Sequence, residues 1–164
     1  MSVSRAIKIG IIGGAEATEN VCALAHETGE FIAKNSAVLV CGGLGGVMEA
    51  AAKGATQNGG TVIGILPTLD PATANPYVTY AIPTGLGMGR NMIVVSSSDV
   101  LIAFPGSYGT LSEIACALNL GKTVVYLPGT WELGKAGMVD AALFKEAATP
   151  RQAVGVALSV VGAR

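Results

Sequence analysis

Phe104-Pro105-Gly106-Ser107-Tyr108-Gly109-Thr110-Leu111-Ser112-Glu113 links a buried strand to a helix through a turn built to approach an anion. Upstream, Val100 to Phe104 is an unbroken apolar run of strand length. Downstream, Leu111, Ile114, Ala115 and Leu118 recur at helical spacing. Gly106 and Gly109 let the backbone come close, and the unpaired amides and positive dipole end at Thr110 to Ser112 face whatever sits above the turn. Thr110 and Glu113 also have a second reading, because Thr-x-x-Glu at a helix start is a capping box that satisfies two orphan amides. A cap alone does not call for glycine on its N-terminal side, whereas an anion site does.

Outward from this turn, the apolar runs Ile7 to Ile12, Ala37 to Cys41, Thr61 to Leu66 and Thr123 to Leu127 also lack strict alternation, as strands covered on both faces do. Helical patterns separate them, at Glu16 to Lys34, Val47 to Gln57, Arg90 to Ser97 and Leu111 to Leu120. A last helix follows Thr149-Pro150, a cap with proline at the first helical position. Pro67, Pro71, Pro76 and Pro83 mark a loop carrying an edge strand at Tyr77 to Ile82, while Val139 to Ala147 fits either a short strand or a helical turn. Strands alternating with helices imply right-handed crossovers. The expected fold is therefore a three-layer α/β/α Rossmann-like parallel sheet, with residues 1–164 forming a single domain.

Ligands of such sheets bind beyond the carboxyl ends of the strands. Gly13-Gly14, Gly42-Gly43-Leu44-Gly45-Gly46, Gly85 to Gly89 and Gly106 to Gly109 should converge there. Of these, Gly13, Gly14, Gly43, Gly45, Gly46, Gly106, Ser107, Tyr108, Gly109 and Thr110 are the candidate ligand-binding residues. Gly45-Gly46 serves close helix packing equally well. No turn satisfies G-x-G-x-x-G, because Met48 and Met92 stand where third glycines belong, and a dinucleotide is disfavoured. Arg90, after a glycine-rich loop and at a helix start, is either a ligand-facing cation or a surface arginine. Asn91 either caps that helix or touches ligand. Gly121-Lys122-Thr123 imitates the end of a Walker motif but closes a helix, which places Lys122 against that helix's dipole.

Charged residues make up 13 % of the chain against a usual figure of about 25 %, and apolar residues 51 %, so an oligomer interface, as in a homodimer or homotetramer, is expected. The net charge of -1, with no basic cluster, gives nucleic acid nothing to hold. No apolar run reaches the roughly 18 residues a membrane span needs, and Arg5 and Lys8 lead directly into a core strand without a cleavage pattern, so a cytoplasmic protein is expected. Cys22, Cys41 and Cys116 lie far apart and read as reduced core thiols. His26 lacks the second histidine of a zinc-protease helix, and no metal site is expected.

Arg90-Asn91, Ser98 to Phe104 and then Pro105 to Glu113 resemble the signature of the "lonely guy" family, an arginine followed by P-G-G-x-G-T-x-x-E. Its members are Rossmann-like, usually dimeric, and release cytokinin base from the riboside 5'-monophosphate. A subgroup that includes molybdenum-cofactor carrier proteins is similar over more of the chain: Ile9 to Gly14, Cys41 to Ala51 and Ala74 to Val78. The resemblance implies catalytic roles for Arg90 and Glu113 if the chain is a hydrolase. Ser107 replaces the motif's second glycine, and Asn91 replaces the lysine that usually follows the arginine in the hydrolases. The Asn91 change is the one expected of the binding subgroup. An older label for this motif, lysine decarboxylase, fits poorly, because a pyridoxal enzyme needs a Schiff-base lysine and a larger cofactor domain.

Two readings follow, beside a third in which a degenerate member uses the fold to assemble a larger complex. In the first, the turns hold the phosphate of a molybdenum cofactor or other pterin, or of a nucleoside monophosphate, as ligand, with no cofactor required. In the second, the protein is a nucleoside 5'-monophosphate phosphoribohydrolase, in which Glu113 stabilises oxocarbenium-like charge and orients water while Arg90 orients ligand oxygens.

Overall fold

The computed structural model describes residues 5–127, 129 and 139–163. Its strands are β1 (Lys8–Ile12), β2 (Val38–Cys41), β3 (Val62–Leu66), β4 (Tyr80–Pro83), β5 (Val100–Ala103), β6 (Val124–Tyr126) and β7 (Phe144–Glu146). Its helices are α1 (Glu19–Lys34), α2 (Val47–Gln57), α3 (Asn91–Ser97), α4 (Tyr108–Asn119) and α5 (Pro150–Gly162). The strands form one seven-stranded parallel sheet in the order β4-β3-β2-β1-β5-β6-β7. The α/β/α Rossmann-like class read from the sequence is the fold observed.

Burial on both faces explains the unbroken apolar runs. Ile9, Ile11, Leu39, Cys41, Val100, Ile102 and Val125 pack with side chains of α1, α2 and α5. Their neighbours Ile12, Val40, Leu101, Ala103 and Val124 pack with Val94 and Val95 of α3 and Ile114 and Ala117 of α4. At roughly 1.5–3 kcal/mol for each fully buried large apolar side chain, this two-sided burial is the main force holding the layers together.

Several boundaries differ from the sequence reading. α1 begins at Glu19 because Thr18 is its N-cap, its side chain accepting from Val21 N–H at 3.4 Å. The edge strand lies at Tyr80–Pro83, paired with β3, where Pro83 is tolerated because only one side of an edge strand is bonded. Within 139–147, Phe144–Glu146 is a strand that pairs with β6. α4 begins at Tyr108, one turn before Leu111, with Ser107 as a cap whose side chain makes no capping bond. Thr110 and Glu113 therefore form no capping box, since Thr110 is already helical. Gly121-Lys122 closes α4 as expected, the Lys122 N–H donating to the Ala117 carbonyl at 2.9 Å, while its ammonium reaches the C-terminal end of α3, donating to the carbonyls of Val95 and Ser96, both at 2.8 Å, and of Ser98. The three cysteines are free thiols, as expected, but only Cys41 is buried, Cys22 and Cys116 being half-buried. His26 contacts Gln57 and Glu30 on the helix surface. Among the described residues no cluster of metal-ligating side chains occurs, and no helix is long and apolar enough to cross a membrane.

α1 and α2 touch through backbone. A Cβ at Gly29 would lie 2.0 Å from the Ala51 carbonyl oxygen, and one at Gly54 would lie 2.0 Å from that of His26. No side-chain rotation relieves a clash with a helix backbone, so alanine at either position must separate the helices. Gly54→Ala should lower stability by about 2–3 kcal/mol and the melting temperature by roughly 5–10 °C. A thermal melt within a degree or so of wild type would show that the helices do not approach this closely.

Candidate functional site

From β1 the chain moves outward to β2, β3 and β4, then returns to the opposite side of β1 as β5. The β1 and β5 turns therefore diverge, and the crevice between them is the place where open α/β sheets bind ligands. Gly14 bridges it: its N–H donates to the Pro105 carbonyl at 3.1 Å, and its carbonyl accepts from Val47 N–H, the first amide of α2, at 3.0 Å. Close packing sets the glycines here. A Cβ at Gly13 would meet the Val47 side chain, and one at Gly106 would strike Thr110 Oγ1 and approach Gly14 N at 2.9 Å.

A cavity of about 180 Å³ opens at this point. Of the residues singled out in the sequence, Gly13, Gly14, Arg90, Asn91, Ser107, Gly109, Thr110 and Glu113 line it. Gly106 lines an adjoining recess of about 510 Å³ that shares Gly14 and Ser107. Gly43, Gly45 and Gly46 lie outside both. Gly43, at φ +72°, turns the chain beneath Asn75, whose N–H donates to its carbonyl at 2.8 Å. Gly46, at φ +62°, sits where a Cβ would meet the Gly14 carbonyl, so helix packing accounts for it. Tyr108 is 88 % exposed and lines neither space.

Arg90 and Glu113 face each other, each 7 % exposed, with Arg90 Nη1 4.0 Å from Glu113 Oε1. A shorter bond goes from Arg90 Nη1 to Asn91 Oδ1, at 2.6 Å, so Asn91 is a partner of the arginine rather than a cap, α3 having no side-chain cap. Arg90 Nε is buried without a hydrogen-bond partner. The guanidinium lies against Gly42, where a Cβ would come within 2.4–2.6 Å of it. Gly42 was absent from the sequence-derived site, although it heads the glycine run after β2. The apolar wall, Leu44, Met48 and Met88, carries no local signature and comes from tertiary packing alone.

Burial pushes the Glu113 carboxyl up from 4.5 to about 7, against the opposing pull of Arg90. Burial likewise lowers the Arg90 pKa, with Glu113 opposing the shift. A carboxyl poised near neutrality can exchange a proton with a ligand or a water molecule. Opposite this pair, the amides of Tyr108, Gly109 and Thr110 precede the first intrahelical bond of α4, Leu111 N–H to Ser107 C=O, and Ser107 does not cap them. Such a helix end attracts anions.

The SLOG cluster4 family model matches residues 6–159. The chain belongs to the SLOG cluster4 family. An Archaeoglobus fulgidus protein of uncharacterized function is 49 % identical over 74 % of this chain and 80 % of its own. A probable cytokinin riboside 5'-monophosphate phosphoribohydrolase of Oryza sativa subsp. japonica is 31 % identical over 52 % of this chain and 38 % of its own. Among solved structures, the molybdenum cofactor binding protein of Rippkaea orientalis superposes with TM-score 0.88 at 36 % identity, covering 96 % of this chain and 99 % of that one. The molybdenum cofactor carrier protein of Chlamydomonas reinhardtii gives 0.85 at 37 %, covering 98 % and 100 %. This SLOG member therefore has both kinds of relative that the motif from Arg90 to Glu113 suggests.

The carboxyl makes stability pH-dependent. Its folded-state pKa lies above the ordinary value, so the native protein holds more protons between about pH 4.5 and 7, and stability falls as pH rises through that window. Denaturant titrations at pH 5 and pH 8 should show wild type losing on the order of 2 kcal/mol more than Glu113→Gln over the interval. Parallel profiles for the two proteins would mean that Glu113 titrates normally.

Proposed function

We propose that the protein binds a phosphorylated ligand of pterin or nucleotide type in the crevice between the β1 and β5 turns and holds it as a carrier. The observation that carries this reading is the uncapped start of α4 facing a buried arginine whose Nε lacks a partner. Both offer only donors to the same small space. These residues fit the phosphate end of such a ligand: the amides at Gly109 and Thr110 and the Thr110 hydroxyl for the oxyanions, and Arg90 for ligand oxygens. The likeness over nearly the whole chain to proteins described as binding or carrying molybdenum cofactor favours the pterin ligand.

A second reading, hydrolysis of a nucleoside 5'-monophosphate, is favoured by Glu113 and its raised pKa. The C1'–N bond would break, water oxygen would join C1', Glu113 would take a proton from that water, and the departing base would be protonated from solvent. Tyr80, Ile82, Leu86, Met88 and Met92 are all exposed and supply apolar surface for a homodimer or homotetramer.

Calorimetry with AMP, GMP and IMP should give saturable binding that Gly109→Asp abolishes, because a side chain at residue 109 enters the cavity beside Met88 and Asn91. No binding of any phosphate-bearing probe would reject the site. Recovery of the nucleotides intact after prolonged incubation supports the carrier. Free base with ribose 5-phosphate, lost in Glu113→Gln, supports the hydrolase. Light scattering should return two or four chain masses, and a monomer would reject the oligomer.

A further inference from the structure

Arg90 has donors only, so the Asn91 atom it contacts at 2.6 Å is the amide oxygen, which turns the amide nitrogen the opposite way. That nitrogen, Nδ2, faces the start of α4, 3.8 Å from where a Cβ on Gly109 would stand. The same Nη1 that Asn91 holds is the atom nearest Glu113, and there the separation is 4.0 Å, too long for a hydrogen bond. Gly42 blocks retreat of the guanidinium on one side. Asn91 and Glu113 thus lie against the same Nη1 amino group, and Asn91 has the shorter contact.

We propose that Asn91 is a positioning residue: it holds the Arg90 guanidinium off Glu113 and, with its amide orientation fixed by that bond, presents Nδ2 as a further donor to an anion at the start of α4. The donor half rests on the ligand reading above; the positioning half does not. Two consequences follow for the chemistry of the crevice. Glu113 stays protonatable near neutral pH, since a guanidinium in full contact would pull its pKa down. The charged and titratable groups that face it are Arg90, at the N-terminal end of α3, and Cys41, at the end of β2, and burial pushes the Cys41 thiol up to about 11, so it is neutral there. An arriving anion also meets a neutral donor beside Arg90, so the site offers directional bonds without a second fixed cation.

Carbon-13 NMR of the Glu113 carboxyl in the ligand-free protein tests the positioning half. In Asn91→Ala the guanidinium is released toward Glu113, and the titration midpoint should fall by about one pH unit or more. Asn91→Asp keeps an acceptor for Arg90 and adds a like charge, so its midpoint should not fall. A midpoint in Asn91→Ala equal to wild type, or an equal fall in both variants, overturns the positioning role; a residue that merely supported the fold would not separate the two. Inorganic phosphate binding, followed by calorimetry, tests the donor half: Asn91→Ala should weaken it about tenfold and Asn91→Asp further, by loss of the donor and by repulsion. Unchanged phosphate affinity in both variants overturns the donor role. Failure of wild type to bind phosphate defeats the ligand reading together with the donor role, and the carboxyl titration still judges the positioning.

Discussion

Gly14 ties three turns together with two hydrogen bonds. Its amide holds the β5 turn through Pro105, and its carbonyl holds the first amide of α2. The ladders of β1 with β2 and β5 set the register of the strands, and the Gly14 bonds fix the turns that leave them. The bond to Pro105 draws the start of α4 toward the β1 exit. The bond to Val47 brings α2 down onto the same spot, and Gly13, Gly46 and Gly106 lack side chains because three backbones meet there. Both polar groups of Gly14 are therefore engaged by protein. The amides at the start of α4 and the side chains across the crevice remain to meet any anion that would enter.

Those side chains are held at an electrostatic compromise. A buried arginine and a buried glutamate in full contact would form a tight pair with little affinity left for anything else. Here their separation and their burial leave both destabilised in the charged form, and the arginine's Nε is unbonded. An anion would relieve the arginine, and a proton would relieve the glutamate. A site of this kind suits a phosphate monoester next to a group that can lose or accept a proton. That property is common to carrying a phosphorylated ligand and to cleaving one, which is why the two readings share a constellation.

The layers were legible in the sequence because each strand is buried on both faces and each helix carries one apolar stripe. The sheet rule placed the glycine-rich turns at one edge, whereas the pairing of Arg90 with Glu113 was implied by the family resemblance, the residue pattern alone leaving Arg90 either ligand-facing or at the surface. What was not legible depended on contacts between distant segments. A glycine run after β2 does not reveal which member lines the cavity, and it is Gly42, against Arg90, rather than Gly43 or Gly46, which serve the turn and the helix contact. Thr110 and Glu113 match a capping box by spacing, but the helix starts a turn earlier, at Tyr108, with Ser107 extended as its cap residue. The closure of α4 at Gly121-Lys122 was legible, but the reach of the Lys122 ammonium to α3 was not, because local sequence says nothing about a neighbour lying alongside.

That lysine bears on how the crevice behaves. α3 is a seven-residue helix with no side-chain cap at its start, and such a short segment has little stability of its own. Its final carbonyls are gathered by the Lys122 ammonium, while its leading end is occupied by the guanidinium wedged between Gly42 and Asn91. Anchored at both extremities, the helix acts as a strut that carries the arginine rather than as an arm that swings it. The ordering entropy of that cation is lost when the chain folds, so an incoming anion finds its counter-charge already in place and need not immobilise it.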